Sequence, residues 1–90
     1  MKENNNYQIF KIKDFYQACV LATAKIPLVD LEPGEGKFLT FVFDDKKFMA
    51  EEILGQYWDG QLRLDPKELI RNIHEIRNRM YARKNLKNEY

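Results

Sequence analysis

Residues 37–43, KFLTFVF, restrict the architecture more than any other stretch of this chain. Alternation along an extended backbone sends Leu39, Phe41 and Phe43 to one face, and Phe38 and Val42 to the other. A strand that is apolar on both faces belongs at the centre of a sheet covered on both sides, or it leaves its second face to a partner. The cover must come from a short chain. Ninety residues make one domain, and domains of this size bury only roughly 60–65% of the surface their unfolded form exposes. Six Phe, five Tyr and one Trp supply much of that burial.

The rest of the chain supplies three helices and two further strands. YQIFKI, residues 7–12, alternates apolar and polar and reads as a short strand. Asp14 and Gln17 form the capping pattern of a helix over 15–25, with Phe15, Ala18, Cys19 and Ala22 on one face. Pro27 stops it. Residues 28–31 read as a strand, and EPGEG, residues 32–36, as its turn. Asp44-Asp45 closes the central strand and offers a cap to a second helix carrying Ala50, Ile53, Leu54 and Tyr57. Asp59-Gly60 ends that helix. QLRL, residues 61–64, is a short extended piece. Asp65-Pro66-Lys67-Glu68 then starts a third helix, whose stripe is Leu69, Ile73, Ile76 and Met80. The order strand, helix, strand, strand, helix, helix predicts an α+β domain. Its small, mainly antiparallel three-stranded sheet packs against three helices. The domain spans 7–84, between a polar tail at 1–6 and a frayed tail at 85–90.

Reactive chemistry is scarce. The chain has no serine, one cysteine (Cys19), one histidine (His74) and two threonines (Thr23 and Thr40). Nucleophilic catalysis needs a nucleophile, a base and usually a group that orients the base. A zinc site needs three or four ligands. This inventory argues against an enzyme, a metal site or a cofactor. Cys19 lies on an apolar helix face and reads as core. The pairs Asp44-Asp45 and Glu51-Glu52 have no matching histidine, and cap or solvated-helix roles account for them. A lone cysteine and the lack of an apolar leader or long apolar run point to a soluble protein of the cytoplasm, with no membrane partner.

Two surfaces are candidates for binding. Residues 1–59 carry seven basic and ten acidic side chains, whereas residues 60–90 carry eight basic and four acidic. Such asymmetry marks either an anion-binding surface or a solvated basic helix. Trp58 caps the edge of the core, or with Arg63 forms a stacking site for a base or a protein anchor. Lys67, Arg71, His74 and Arg77 on the third helix complete the candidate nucleic-acid or nucleotide surface. The second surface is Phe38, Thr40 and Val42, the outer row of the central strand, as the interface of a homodimer.

The chain also resembles a family of small bacterial and phage-associated proteins known only as a domain of unknown function. The resemblance rests on the alanine-rich first helix DFYQACVLA, the strand end FVFD, and the link YWDG followed by LRLDP. It covers residues 7–81. The resemblance implies a phage or prophage setting and carries no catalytic residues with it. The expected function is a non-enzymatic interaction module that binds itself, a host protein or a virion component. The alternative is a nucleic-acid or nucleotide-binding module built on Trp58 and the basic third helix.

Overall fold

Phe41 and Phe43, at 1% and 0% exposure, anchor the molecule. The computed structural model describes residues 8–34 and 39–88. In chain order these form β1 (Ile9–Ile12), α1 (Phe15–Thr23), β2 (Leu28–Pro33), β3 (Leu39–Asp44), α2 (Ala50–Trp58) and α3 (Pro66–Asn88). The strands make one antiparallel sheet in the order β1-β3-β2, so the strand with two apolar faces is central. The architecture is the α+β fold expected from the sequence.

The register sorts the side chains. Phe41 lies opposite Ile12 and Leu31, and Phe43 opposite Phe10 and Leu28. This row faces the helices and joins Cys19, Leu21, Ile53 and Ile76 in one core. Fully burying a phenylalanine contributes about 1.5–3 kcal/mol, so this row is a major source of stability. On the outer face Val42 lies between Lys11 and Asp30, and Thr40 opposite Glu32. The Lys11 ammonium sits 3.3 Å from a Glu32 carboxylate oxygen. Those residues belong to the two edge strands, so the ion pair crosses over β3. Val42 is 5% exposed without a helix in the core cluster touching its row. The second apolar position of the strand, Val42, is thus buried within the single chain.

Both edges carry obstacles to further pairing. β1 has only four residues. β2 has a register irregularity between Leu28 and Asp30, which leaves Val29 as the extra, exposed residue of a bulge. The Asp30 carboxylate accepts a hydrogen bond from the Leu31 amide at 2.8 Å. Pro33 closes the strand, two residues beyond the end expected from sequence, and a proline is tolerated there because the strand is an edge. Tyr7 and Phe38, expected in strands, lie outside the described residues.

α1 and α3 start on an aspartate, whereas the residue that precedes α2 is Met49. Asp14 accepts the Gln17 amide at 2.8 Å, and Asp65 accepts the Lys67 amide at 2.9 Å. Asp45 works from further away. Its carboxylate accepts the Met49 amide at 2.9 Å and the Ala50 amide at 3.2 Å, across a turn in which Phe48 is left-handed, with φ of 57°. Its own amide donates to the Gln8 carbonyl at 2.7 Å, so one residue ties α2 to the strand pair. Asp45 is only 6% exposed.

α1 ends at Thr23 rather than Lys25, in a tight double hydrogen bond. The Lys25 amide donates to the Ala22 carbonyl at 3.0 Å, and the Ile26 amide to the Leu21 carbonyl at 3.1 Å. This is the Schellman pattern, with Lys25 in the left-handed position at φ 76°. α3 packs antiparallel on α1: Asn72 donates to the Thr23 hydroxyl at 3.0 Å, and the Arg77 guanidinium lies 5.3 Å from the Phe15 ring centre. Ile76 is the buried centre of the α3 stripe, with Leu69, Ile73 and Met80 packed around it. Residues 61–65 join no strand; Leu62 and Leu64 instead turn into the core. α3 continues to Asn88, past the Lys84 boundary, since no glycine or proline interrupts it.

Candidate functional site

The burial of α2 falls steadily along its length. On one row Ala50, Leu54 and Trp58 are 0%, 9% and 69% exposed; on the neighbouring row Ile53 and Tyr57 are 8% and 37%. The helix therefore enters the core at its first turn and lifts out of it at its last. The two aromatics at the raised end lean on each other, with ring centres 5.4 Å apart and planes at 66°. Gly60, with φ of 74°, then turns the chain away. Of the two readings of Trp58, the structure gives the surface one.

The electrostatics of this end are negative. A helix C-terminus carries a partial negative charge. Asp59 caps this one, and no basic residue lies in its last turn. Arg63, the expected companion of Trp58, is exposed between the inward Leu62 and Leu64. Among the described residues the guanidinium stacked on an aromatic ring is that of Arg77, on Phe15, and not that of Arg63 on Trp58. Of the remaining candidates, Lys67, Arg71 and His74 recur at the four- and three-residue spacing of one face of α3. Lys67 and His74 are exposed. Arg71 is in an ion pair with Glu68. Arg77 is folded over Phe15. On the proposed dimer surface, Val42 is buried and Thr40 half-buried, and Phe38 lies outside the described residues.

Sequence reasoning passed over a cavity of about 300 Å³ between the α1–β2 turn and the β3–α2 turn. Ile26, Pro27, Met49 and Ile53 give it an apolar side, and Lys25, Lys46 and Lys47 stand around it together with Asp44. The Asp44 carboxylate is unevenly used. One oxygen is 3.7 Å from the Lys46 ammonium. The other, Oδ1, is buried and has no hydrogen-bond partner among the described residues. The neighbouring Asp45 is fully engaged as the cap of α2. A lysine at the position where a helix end favours glycine was the one local signal of this place in the sequence.

Cys19 is fully buried, and burial pushes its thiol from the ordinary 9.0 up to about 11, offset in part by Arg77. A neutral, enclosed thiol is a poor nucleophile. Among the described residues no three histidine, cysteine or acidic side chains are grouped to hold a metal ion. No described helix is long and apolar enough to cross a membrane. No protein-family model, curated protein or solved structure matches the chain.

Proposed function

We propose that this chain is a non-enzymatic protein-interaction module and that the raised end of α2 is its docking surface. The observation that carries the reading is Trp58, 69% exposed and met by the edge of the Tyr57 ring. Tryptophan and tyrosine side by side on a rigid element are what binding hot spots are made of. The negative helix end and Asp59 favour a protein partner over a phosphate backbone, and they suit a partner with basic residues beside an apolar anchor. A homodimer would use this end rather than Val42, whose surface is already covered. The resemblance of the first helix and of the YWDG link supports a phage or prophage setting, with a host or virion protein as partner, in the cytoplasm.

The rival reading is nucleic-acid or nucleotide binding through Trp58 and Arg63, which are both exposed. One experiment separates the two. The full chain and its Trp58→Ala variant are immobilised and offered nuclease-treated host extract, and both are titrated with single-stranded DNA at low salt. The proposal expects a protein retained by the wild type and lost by a variant that keeps the wild-type unfolding midpoint. Retention indifferent to Trp58 overturns it. DNA binding that weakens with salt and with Trp58→Ala establishes the rival instead.

A further inference from the structure

We infer that the docking surface at the raised end of α2 takes a second copy of this chain, with the two α2 helices antiparallel across a two-fold axis. The inference rests on the reading of that end as a protein-docking surface and names its partner. The raised end suits basic residues beside an apolar anchor, and the other end of the same helix presents them. Lys46 and Lys47 are exposed there. Phe48 and Met49 follow, and Phe48 is 69% exposed, as much as Trp58. α2 has nine residues and is about 13 Å long. It thus carries an exposed apolar pair at each end, one beside two lysines and the other beside Asp59 and the negative helix terminus. Opposite charges around like apolar anchors are what fixes the register of an interface. Phe48 is also left-handed, with φ of 57°. Such conformations are unfavourable for an aromatic residue and cluster at functional sites.

Gly55 supplies an independent observation. Glycine weakens a helix interior, and this one lies inside α2 rather than at its end. It is exposed, and a Cβ added to it would meet nothing within 4 Å among the described residues. The single chain therefore has no packing use for the missing side chain, whereas a second helix laid against this face would gain a closer approach. Glu51, Gly55 and Trp58 recur at the four- and three-residue spacing of that face, and all three are exposed. Turned end for end about a point level with Ile53, the face matches itself. Trp58 then falls level with the partner's Phe48, Gly55 with the partner's Glu51, and Asp59 with the partner's Lys47. Glu52 stands about 100° round the helix from Glu51, off the seam, where Gln56 donates to its carboxylate at 3.5 Å. Each contact occurs twice, so the pair closes on two copies.

Sedimentation equilibrium of the full chain is the test. One short helix pair makes an interface of the smallest class, so the dimer should dissociate in the range of about 10–500 μM. Trp58→Ala and Gly55→Gln should each weaken it about tenfold or more. Gly55→Gln should do so while the dilute chain keeps or raises its unfolding midpoint, because glutamine favours a helix more than glycine does. Lys47→Glu and Asp59→Lys should each weaken the dimer, and the double variant should recover most of the loss. A wild type that stays monomeric up to about 500 μM overturns the inference. A dimer indifferent to both Trp58→Ala and Gly55→Gln overturns it, and so does a double variant weaker than either single one. The two readings fail apart: a monomeric chain that still retains an extract protein through Trp58 overturns the second copy as partner and keeps the docking surface.

Discussion

α1 and α2 leave their helices through the same pair of hydrogen bonds, yet with opposite residues at the left-handed position. At the end of α2 the Gly60 amide donates to the Tyr57 carbonyl at 3.1 Å, the Gln61 amide to the Gln56 carbonyl at 2.9 Å, and the strained φ falls on a glycine. At the end of α1 it falls on Lys25. The residues that follow differ in the same sense. Ile26 is 8% exposed and sits in the core with Leu21, the usual apolar contact of this motif. Gln61 is exposed. One end is held by packing and can carry an unfavourable backbone angle; the other projects into solvent and depends on glycine to avoid one.

That contrast yields measurable consequences. Ile26→Ala should destabilise the fold by about 2–4 kcal/mol through the cavity it leaves, while Gln61→Ala should stay within about 0.5 kcal/mol. Chemical denaturation of the two variants compares the ends directly, and equal effects would erase the distinction. A buried α1 end should also show in titration. The Cys19 thiol is held neutral to about 11 in the folded chain, against 9.0 unfolded. The native state therefore binds more protons between those values, and this contribution to stability, intact below pH 9, falls as pH rises towards 11. The loss is on the order of 2 kcal/mol. Stability of the wild type should fall more steeply over that window than stability of Cys19→Ala; parallel curves would mean the thiol is hydrated.

Two smaller effects address the backbone itself. An added Cβ at Gly60 meets nothing within 4 Å, so Gly60→Ala isolates the backbone term and should cost about 1–2 kcal/mol in the unfolding midpoint. Lys25→Gly should move the other way, gaining up to about 1 kcal/mol, because the lysine endures a conformation that glycine adopts freely. A loss of stability there would show that the Lys25 side chain packs to more effect than its backbone strains.

Much of the fold is legible in periodicity. The alternation through Leu39, Phe41 and Phe43, the α3 stripe centred on Ile76, and the caps at Asp14 and Asp65 each express a local rule, and each stands in the structure. What lay hidden depends on residues distant in sequence. Nothing local says that Lys11 and Glu32 pair across β3 or that Val42 is buried. Nothing in the α2 stripe says where the core stops, so Trp58 could not be placed inside or outside it. The cavity is the clearest case: its two turns lie some twenty residues apart, and the β2–β3 pairing, extended by the Asp44 amide donating to the Pro27 carbonyl at 2.9 Å, brings them together. Sequence did see Asp44 and Asp45 as a pair. The structure separates them: Asp45 bonds the first amides of α2, while Asp44 faces Lys46 with one oxygen and has no hydrogen-bond partner for the other among the described residues.

The guarded margin of β2 reaches beyond the single molecule. An unprotected sheet margin is a template on which identical chains can stack without limit. Here the bulge at Val29, the Leu31 amide held by the Asp30 side chain, and the missing N–H of Pro33 interrupt that template within six residues. A margin so interrupted should oppose the stacking of further chains along β2. Asp30→Val, which frees the amide and adds an apolar side chain to the margin, should turn a clear concentrated solution into one that scatters light, while the folded single chain keeps its sheet.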